Sequence, residues 1–211
     1  RAAVNELAND FRARGQVELA EKTYFAGKDL LNGEYGFENE LGYLYYYLEK
    51  YDQMTDAYLD LLEKHPDQMK IVQYRIQNAF RRSSEDVIYP YLKDELLKRI
   101  KNQKENNQFS ELLLWLSVQR KDFDIALIQA KALDRREGNE YFRVFDLAQV
   151  MSQNGEFSQS IAALEFIVKR PDAKDQIYYQ EALQALLSSK FGRLKMQAEP
   201  PNDEVSILST E

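Results

Sequence analysis

The chain has few of the residues that punctuate β-structure and few that carry chemistry. Its 211 residues include no cysteine, 1 histidine, 8 glycines and 5 prolines. The absence of cysteine excludes a disulfide framework, a thiolate metal site and a cysteine nucleophile. So few glycines and prolines argue against an all-β fold, which needs a turn signal about every 8–12 residues.

Long apolar runs and excess positive charge are also missing. The longest apolar run, residues 112–116, is far shorter than the roughly 20 residues that span a membrane, so we expect no membrane insertion. The 28 basic and 35 acidic residues give a net charge of −7, the wrong sign for a nucleic-acid binder. The chain begins at Arg1 without a charged-then-apolar leader. We therefore expect a piece of a longer protein, and its compartment stays open.

The dominant pattern in the sequence is helical periodicity. From residue 1 to about residue 194, apolar residues recur three and four apart, which predicts an all-α fold. Even the tyrosine-rich residues 43–47 keep helical spacing. Short breaks separate helices of about 12–16 residues, so neighbouring helices should be antiparallel. The predicted breaks are Gly15, Asn32-Gly33, Glu49-Lys50, Pro66-Asp67, residues 82–84, Lys121-Asp122, Gly138-Asn139, Asn154-Gly155 and Pro171-Asp172.

The periodic segments form an internal repeat of 34 residues. The third block has four extra residues. Counting by 34 from Leu7, Ala8, Phe11 or Tyr24, and adding these four once, gives equivalent positions that are mostly apolar. We call each such set of equivalent positions a column. Arg75 is a charged misfit in the first column, as is Glu181. The predicted blocks are 1–34, 35–68, 69–106, 107–140, 141–174 and a half-repeat 175–194, followed by a polar tail at 195–211.

These columns resemble the tetratricopeptide repeat (TPR) family, whose 34-residue unit has an aromatic, Leu-Gly, Tyr, Ala and Pro signature. The second block matches it best, through Leu41-Gly42, Tyr45, Tyr58 and Pro66, with Met54 in place of the Ala. The resemblance implies a right-handed superhelical α-α solenoid, stabilised by stacking of neighbouring helix pairs. Large residues opposite small ones, such as Met54 opposite Gly42, should preserve core volume.

The third block departs most from the family pattern. We expect its second helix to begin after residues 83–86, with Pro90 in the first turns, where a missing N–H is tolerated. Residues 92–104 are charge-rich and predict a solvated helix face; a patch for an acidic partner is the alternative. The tail is polar and should be mobile, with residues 205–208 as an alternative docking segment.

No sequence motif indicates catalysis. The chain has no phosphate-binding glycine loop, no G-x-S-x-G and no H-E-x-x-H. His65 directly precedes Pro66 at a predicted helix end, where the helix dipole favours a positively charged histidine, so we interpret it as a surface or capping residue. We expect no catalytic residues, no metal site and no cofactor.

The resemblance also implies a binding surface. In the TPR family the first helices of each pair line a concave groove that holds a peptide. Side-chain amides can pair with a peptide backbone, and aromatic residues supply contact area. Polar residues that are merely solvated and aromatics that merely pack are the alternative. The groove candidates are Asn5, Asn9, Arg12, Asn39, Tyr43, Tyr46, Gln73, Gln77, Phe80, Glu111, Trp115, Phe145, Gln149 and Tyr179.

One subfamily of partners fits poorly. TPR co-chaperones hold the C-terminal carboxylate of heat-shock proteins with Lys, Asn and Arg in fixed positions. At the matching positions of the first repeat, this chain has Asn5 and Asn9 and lacks the lysine. At those of the third repeat, it has Lys70, but Tyr74 stands in place of the arginine. These departures argue against a heat-shock C-terminal tail as the partner.

The sequence thus predicts a non-enzymatic scaffold that binds a protein or peptide segment in its groove. Two alternatives stay open: a regulator whose superhelix responds to a peptide or small molecule, and a structural subunit that docks into a larger assembly through its tail. The identity of the partner and the oligomeric state are not determined by the sequence.

Overall fold

Every regular element in the described part of the chain is a helix. The computed structural model describes residues 1–83, 85–103, 106–138, 141–170, 173–175 and 178–196. Within these residues there are eleven α-helices, two short 3-10 helices at Pro66–Gln68 and Ala173–Asp175, and no strand. The prediction of an all-α fold is confirmed. The helices are distributed over two compact units, residues 1–109 and 110–211.

Unit 1 consists of consecutive helix pairs. Its helices are α1 (Ala2–Ala13), α2 (Val17–Leu30), α3 (Glu38–Tyr47), α4 (Tyr51–Lys64), α5 (Met69–Arg82) and α6 (Glu85–Asn102). Helices α1 and α2 pack on each other, as do α3 and α4, and α5 and α6. Successive pairs touch through α2 and α3, and through α4 with α5 and α6. Contacts that run from each pair to the next are typical of helical repeats.

In unit 2, too, helices that are adjacent in the sequence pack on each other. Helix α7 (Asn107–Gln119) begins just before it, and α8 (Phe123–Glu137), α9 (Phe142–Gln153), α10 (Phe157–Val168) and α11 (Tyr179–Met196) follow. Helix α9 packs between α8 and α10, and α10 also contacts α8 and α11. Their shared core is formed by residues that are almost fully buried, among them Phe123, Val144, Ala148, Met151, Leu164 and Ala182.

A single turn geometry recurs at the repeat spacing. Gly15, Glu49, Lys121 and Gly155 all have a positive φ, of 74°, 57°, 57° and 80°. Each donates its N–H to the carbonyl three residues earlier, and the next residue donates to the carbonyl five residues earlier. This is the Schellman arrangement that ends a helix. At the equivalent place in the third block, Ser83 is extended, with φ −119°, so the third block departs from the others here too.

The predicted breaks agree with the helix ends wherever both are described. Asn32-Gly33 and Gly138 also have positive φ, and Pro66 starts a 3-10 helix after α4. The predicted breaks at Pro171-Asp172, together with Ser84 and Asn139, lie outside the described residues.

Two helices extend beyond their predicted limits. Helix α6 begins at Glu85, within residues 83–86, whereas the sequence predicts a start after them. It spans 18 residues and contains Pro90. Helix α11 ends at Met196, so it includes the first two residues of the predicted tail. The rest of the predicted tail, residues 197–211, is outside the described part of the chain.

Most of the apolar columns lie inside, although Leu7, at the head of the first column, is 49% exposed. Tyr24, Tyr58, Ala130 and Leu164, which share one column, are all buried. We expected Met54 to compensate for the missing side chain of Gly42. A Cβ placed on Gly42 would instead lie 2.4 Å from Cε1 of Tyr58, whose ring atoms are the nearest heavy atoms. The side chain nearest to the missing Cβ is therefore Tyr58, one helical turn beyond Met54.

Candidate functional site

The first helices of the three pairs in unit 1 line two adjoining cavities. The first cavity has a volume of about 190 Å³. Its wall comes from α1, α3 and α5, with the buried Ala8, Ala20 and Tyr24 beneath. Besides Tyr24, the polar and aromatic side chains that line it are Asn5, Asn9, Arg12, Asn39, Glu40, Tyr43 and Arg75.

The second cavity, of about 230 Å³, lies between α3, α4 and α5. It shares Tyr43 and Arg75 with the first cavity, so the two form one continuous surface, which we call the α1–α3–α5 groove. The second cavity is lined by Tyr43, Tyr46, Tyr58, Tyr74, Arg75, Asn78, Ala79 and Arg82.

Tyr43 lies at the centre of the α1–α3–α5 groove. Its side chain is 37% exposed, and the guanidinium carbons of Arg12 and Arg75 each lie 5.7 Å from its ring centroid. At this distance a guanidinium is attracted by the ring's π electrons. Arg75 is further oriented by a 3.0 Å hydrogen bond that its Nε donates to Oδ1 of Asn39. The groove therefore presents two positioned cations around one accessible aromatic ring.

The carboxylate in the groove is already engaged. Glu40 accepts hydrogen bonds from Nδ2 of Asn5 at 3.3 Å and from the hydroxyl of Tyr35 at 3.0 Å. Arg1 also lies 3.7 Å from it. Burial, with the Glu40 charge and hydrogen bond adding to it, raises the pKa of Tyr35 to about 12. Tyr35 thus stays protonated at neutral pH and acts as a donor to Glu40.

The deeper tyrosines of the groove are neutral as well. Burial raises the pKa of Tyr24, with the nearby Glu40 adding to the shift and Arg12 opposing it. Burial also raises the pKa of Tyr58, although the charge of Arg75 lowers it in part. A phenol that cannot ionise near neutral pH contributes hydrogen bonding and contact area rather than acid–base chemistry.

Six of the predicted groove residues meet at these two cavities. Asn5, Asn9, Arg12, Asn39 and Tyr43 line the first cavity, and Tyr43 and Tyr46 line the second. Gln73, Gln77 and Phe80 lie on α5 but do not line either cavity. Of the two third-repeat residues compared with the heat-shock co-chaperones, Tyr74 lines the second cavity and Lys70 does not.

The candidates beyond α6 have other surroundings. Glu111 on α7 lies 3.5 Å from Arg143, which also pairs with Asp134 and Glu137. Phe145 on α9 is buried and stacks on Tyr178, with ring centroids 5.7 Å apart. Trp115, half-buried, lies on α7, Gln149 on α9 and Tyr179 on α11. These residues do not contribute to the α1–α3–α5 groove.

Sequence reasoning missed Arg75, one of the two residues that both cavities share. Arg75 stands in a column of leucines, where the repeat pattern marks it only as a misfit. A charged residue at a position that is otherwise apolar was a usable signal, because burying an unpaired charge is costly and such a residue therefore tends to have a specific neighbour. Glu40, Asn78 and Arg82 were also missed, and no repeat column marked them.

The described residues give no sign of a metal site. No group of three or more His, Asp or Glu side chains within them could hold an ion. None of the described helices combines the length and apolarity needed to cross a membrane.

Comparison with known proteins does not assign the chain to a family. No known protein-family model matches it, and no curated protein is significantly similar in sequence.

Proposed function

We propose that the chain is a non-enzymatic scaffold of the tetratricopeptide type, built as a right-handed superhelical α-α solenoid, that binds a protein segment in a concave groove. The pairing of successive helices supports the repeat. So does the same Schellman turn at Gly15, Glu49, Lys121 and Gly155. Helix pairs that stack in one direction offer an extended surface on their first helices, which suits an extended partner.

The observation that carries the proposal is the continuity of the α1–α3–α5 groove. Its two cavities share Tyr43 and Arg75, and they are lined by side chains from the first helices of three successive pairs. Accessible tyrosines supply contact area at low entropic cost, and the amides of Asn9 and Asn39 supply donors and acceptors for a peptide backbone.

The test is a selection of peptides from a random display library on the full chain. We expect the double variant Tyr43→Ala with Tyr46→Ala to lower the affinity for the selected peptides by about 10-fold or more, because aromatic residues at the centre of an interface dominate its energy. Titration calorimetry measures the affinity, and circular dichroism checks that the helix content is unchanged.

The matched control is Tyr47→Ala. Tyr47 lies on the same helix, is 60% exposed and lines neither cavity, so its removal should leave peptide affinity unaltered. Selected peptides that bind the double variant as tightly as the original chain would place the binding surface elsewhere.

A further inference from the structure

The α1–α3–α5 groove carries positive charge on a chain whose net charge is −7. Arg12 and Arg75 line its first cavity, and Arg75 and Arg82 line its second. Within the part of the chain that the structure describes, none of these three arginines forms an ion pair. With 35 acidic residues available to the chain, three unpaired arginines along one groove form a localised cationic surface.

The acidic residue inside the groove does not neutralise these arginines. Glu40 is occupied by Asn5, Tyr35 and Arg1, and it is the sole acidic residue among the side chains that line the two cavities in the described structure. The positive charge of Arg12 and Arg75 is therefore available to an external anion.

Arg75 is held in a geometry that suits a carboxylate. Its Nε donates to Asn39, and its two terminal nitrogens have no hydrogen-bond partner among the described residues. A guanidinium whose terminal nitrogens are free can receive both oxygens of one carboxylate. Because Asn39 and Tyr43 already restrain the side chain, less conformational entropy is lost on binding.

We propose that the α1–α3–α5 groove binds an acidic peptide segment of a partner protein, with two Asp or Glu carboxylates that pair with Arg12 and Arg75 on either flank of the Tyr43 contact. This inference rests on the proposed function and specifies its partner. It differs from capture of a C-terminal carboxylate, because the anions it requires are side chains within the peptide.

The distances define the spacing of the acidic residues. Both guanidinium carbons lie 5.7 Å from the Tyr43 centroid, so they are at most twice that distance apart. In an extended peptide, side chains two residues apart point to the same side and are separated by about 6.6 Å. Two acidic residues with one residue between them can therefore reach both arginines.

The test uses fluorescein-labelled peptides about 12 residues long, in which glutamate alternates with serine over the central positions. A second peptide has glutamine in place of every glutamate, and a third has phosphoserine in place of every glutamate. We expect the glutamate peptide to bind the full chain at least about 10-fold more tightly than the glutamine peptide, since hydrogen bonds between charged groups are the stronger ones. Fluorescence anisotropy measures the affinities, and salt at about 0.5 M should weaken the glutamate peptide most.

Variants of the chain locate the charge. Arg12→Gln and Arg75→Gln should each weaken the glutamate peptide by about 10-fold and leave the glutamine peptide unchanged. Arg81→Gln is the matched control, because Arg81 lies on α5 beside Arg82, is exposed and lines neither cavity. It changes the net charge equally and should alter the affinity less than twofold. Circular dichroism confirms that each variant is folded.

Several results would overturn the inference. Equal binding of the glutamate and glutamine peptides, or equal effects of Arg75→Gln and Arg81→Gln, would show that charge is not recognised in the groove. Binding of the phosphoserine peptide alone would replace the carboxylates by phosphate groups. In these cases the proposed function stands if Tyr43→Ala with Tyr46→Ala still weakens the library-selected peptides. If the designed peptides do not bind and the library yields no binding peptide, both proposals fail.

The alternative occupant that the test must exclude is the chain's own acidic C-terminal segment. Residues 197–211 include Glu199, Asp203, Glu204 and Glu211 and no basic residue. In the full chain, replacing these four by their amides should leave the affinity for the glutamate peptide unchanged. A marked gain in affinity would mean that this segment occupies the groove, and the assignment to a partner protein would fall.

Discussion

Tyr58 occupies the space that a side chain at position 42 would need. Its ring carbons lie 2.4–2.8 Å from a Cβ built on Gly42, and Tyr58 itself is only 2% exposed. A ring packed this deeply cannot move aside without disturbing its neighbours, because protein interiors are close-packed. Gly42 is therefore required by the close approach of α3 and α4 rather than by an unusual backbone angle.

Gly42→Ala should lower the free energy of unfolding by about 1–3 kcal/mol, because the added methyl group overpacks the contact with Tyr58. Helix propensity alone predicts the opposite, a gain of about 1 kcal/mol. Urea denaturation followed by circular dichroism measures the change. In a chain that also carries Tyr58→Leu, which removes the clashing ring carbons, Gly42→Ala should lower the free energy of unfolding by less. If the losses from the two substitutions simply add, Tyr58 is not the residue that Gly42→Ala overpacks.

At the same scale, side chains that look alike in sequence have different surroundings. Tyr43 and Phe145 are both predicted groove aromatics, yet Tyr43 is accessible between two arginines and Phe145 is buried against Tyr178. Their position on a first helix was predictable from the repeat phase. Their exposure was not, because it depends on residues such as Arg75 and Tyr178, which are far away in the sequence.

At the scale of the element, one turn recurs with different residues. Gly15 and Gly155 hold the left-handed position in two connections, and Glu49 and Lys121 hold it in two others. A non-glycine residue in this conformation is strained by about 1 kcal/mol or more, because its Cβ approaches the following carbonyl. The hydrogen bonds of the turn are nonetheless the same at all four places.

Lys121→Gly should therefore raise the free energy of unfolding by about 0.5 kcal/mol, the relief of strain being offset in part by the greater freedom of glycine in the unfolded chain. Gly155→Ala should lower it by about 1 kcal/mol at the equivalent turn. Thermal and urea unfolding measure both changes. Lys121→Ala is the control, since it keeps the Cβ and should bring no gain. Equal gains from Gly and Ala would show that the lysine side chain, not the backbone, was responsible.

At the scale of the whole molecule, charged side chains join helices of neighbouring pairs. In unit 1, Arg99 on α6 lies 2.6 Å from Asp60 and 3.1 Å from Glu63, both on α4. It also pairs with Glu95 on its own helix at 3.1 Å and approaches Asp56 at 3.7 Å. The Arg99 side chain is only 13% exposed. One arginine thus holds four carboxylates where α4 and α6 meet.

Arg99→Ala should lower the free energy of unfolding at pH 7 by about 1–3 kcal/mol, because the carboxylates lose their common partner and repel one another. The loss should shrink on acidification. Although partial burial alone raises it, the pKa of Glu95 is lowered by the hydrogen bonds from Lys98 and Arg99. A carboxyl group whose pKa is lower in the folded protein stabilises the fold at pH values above its pKa in the unfolded chain. This stabilisation is lost as the pH falls through its pKa in the folded protein.

Urea denaturation of both proteins at several pH values tests this dependence. The difference between them should be largest at pH 7 and should decline below the ordinary glutamate pKa of 4.5. Arg99→Lys is the control, since it keeps the charge without the planar fork and should show an intermediate loss. A difference that is constant with pH would assign the effect to lost packing rather than to charge.

The sequence by itself determined the helical class, the positions of most helix ends and the spacing of the repeat. These features follow from local chemistry: apolar residues three and four apart, glycine where φ must be positive, and proline at helix starts. Tertiary structure alone decided that Tyr58 fills the space above Gly42, that Arg75 joins two cavities around Tyr43, and that Phe145 is covered. Each of these outcomes depends on contacts between side chains from different helices, and such contacts are set by how the helices pack rather than by the periodicity of any one of them.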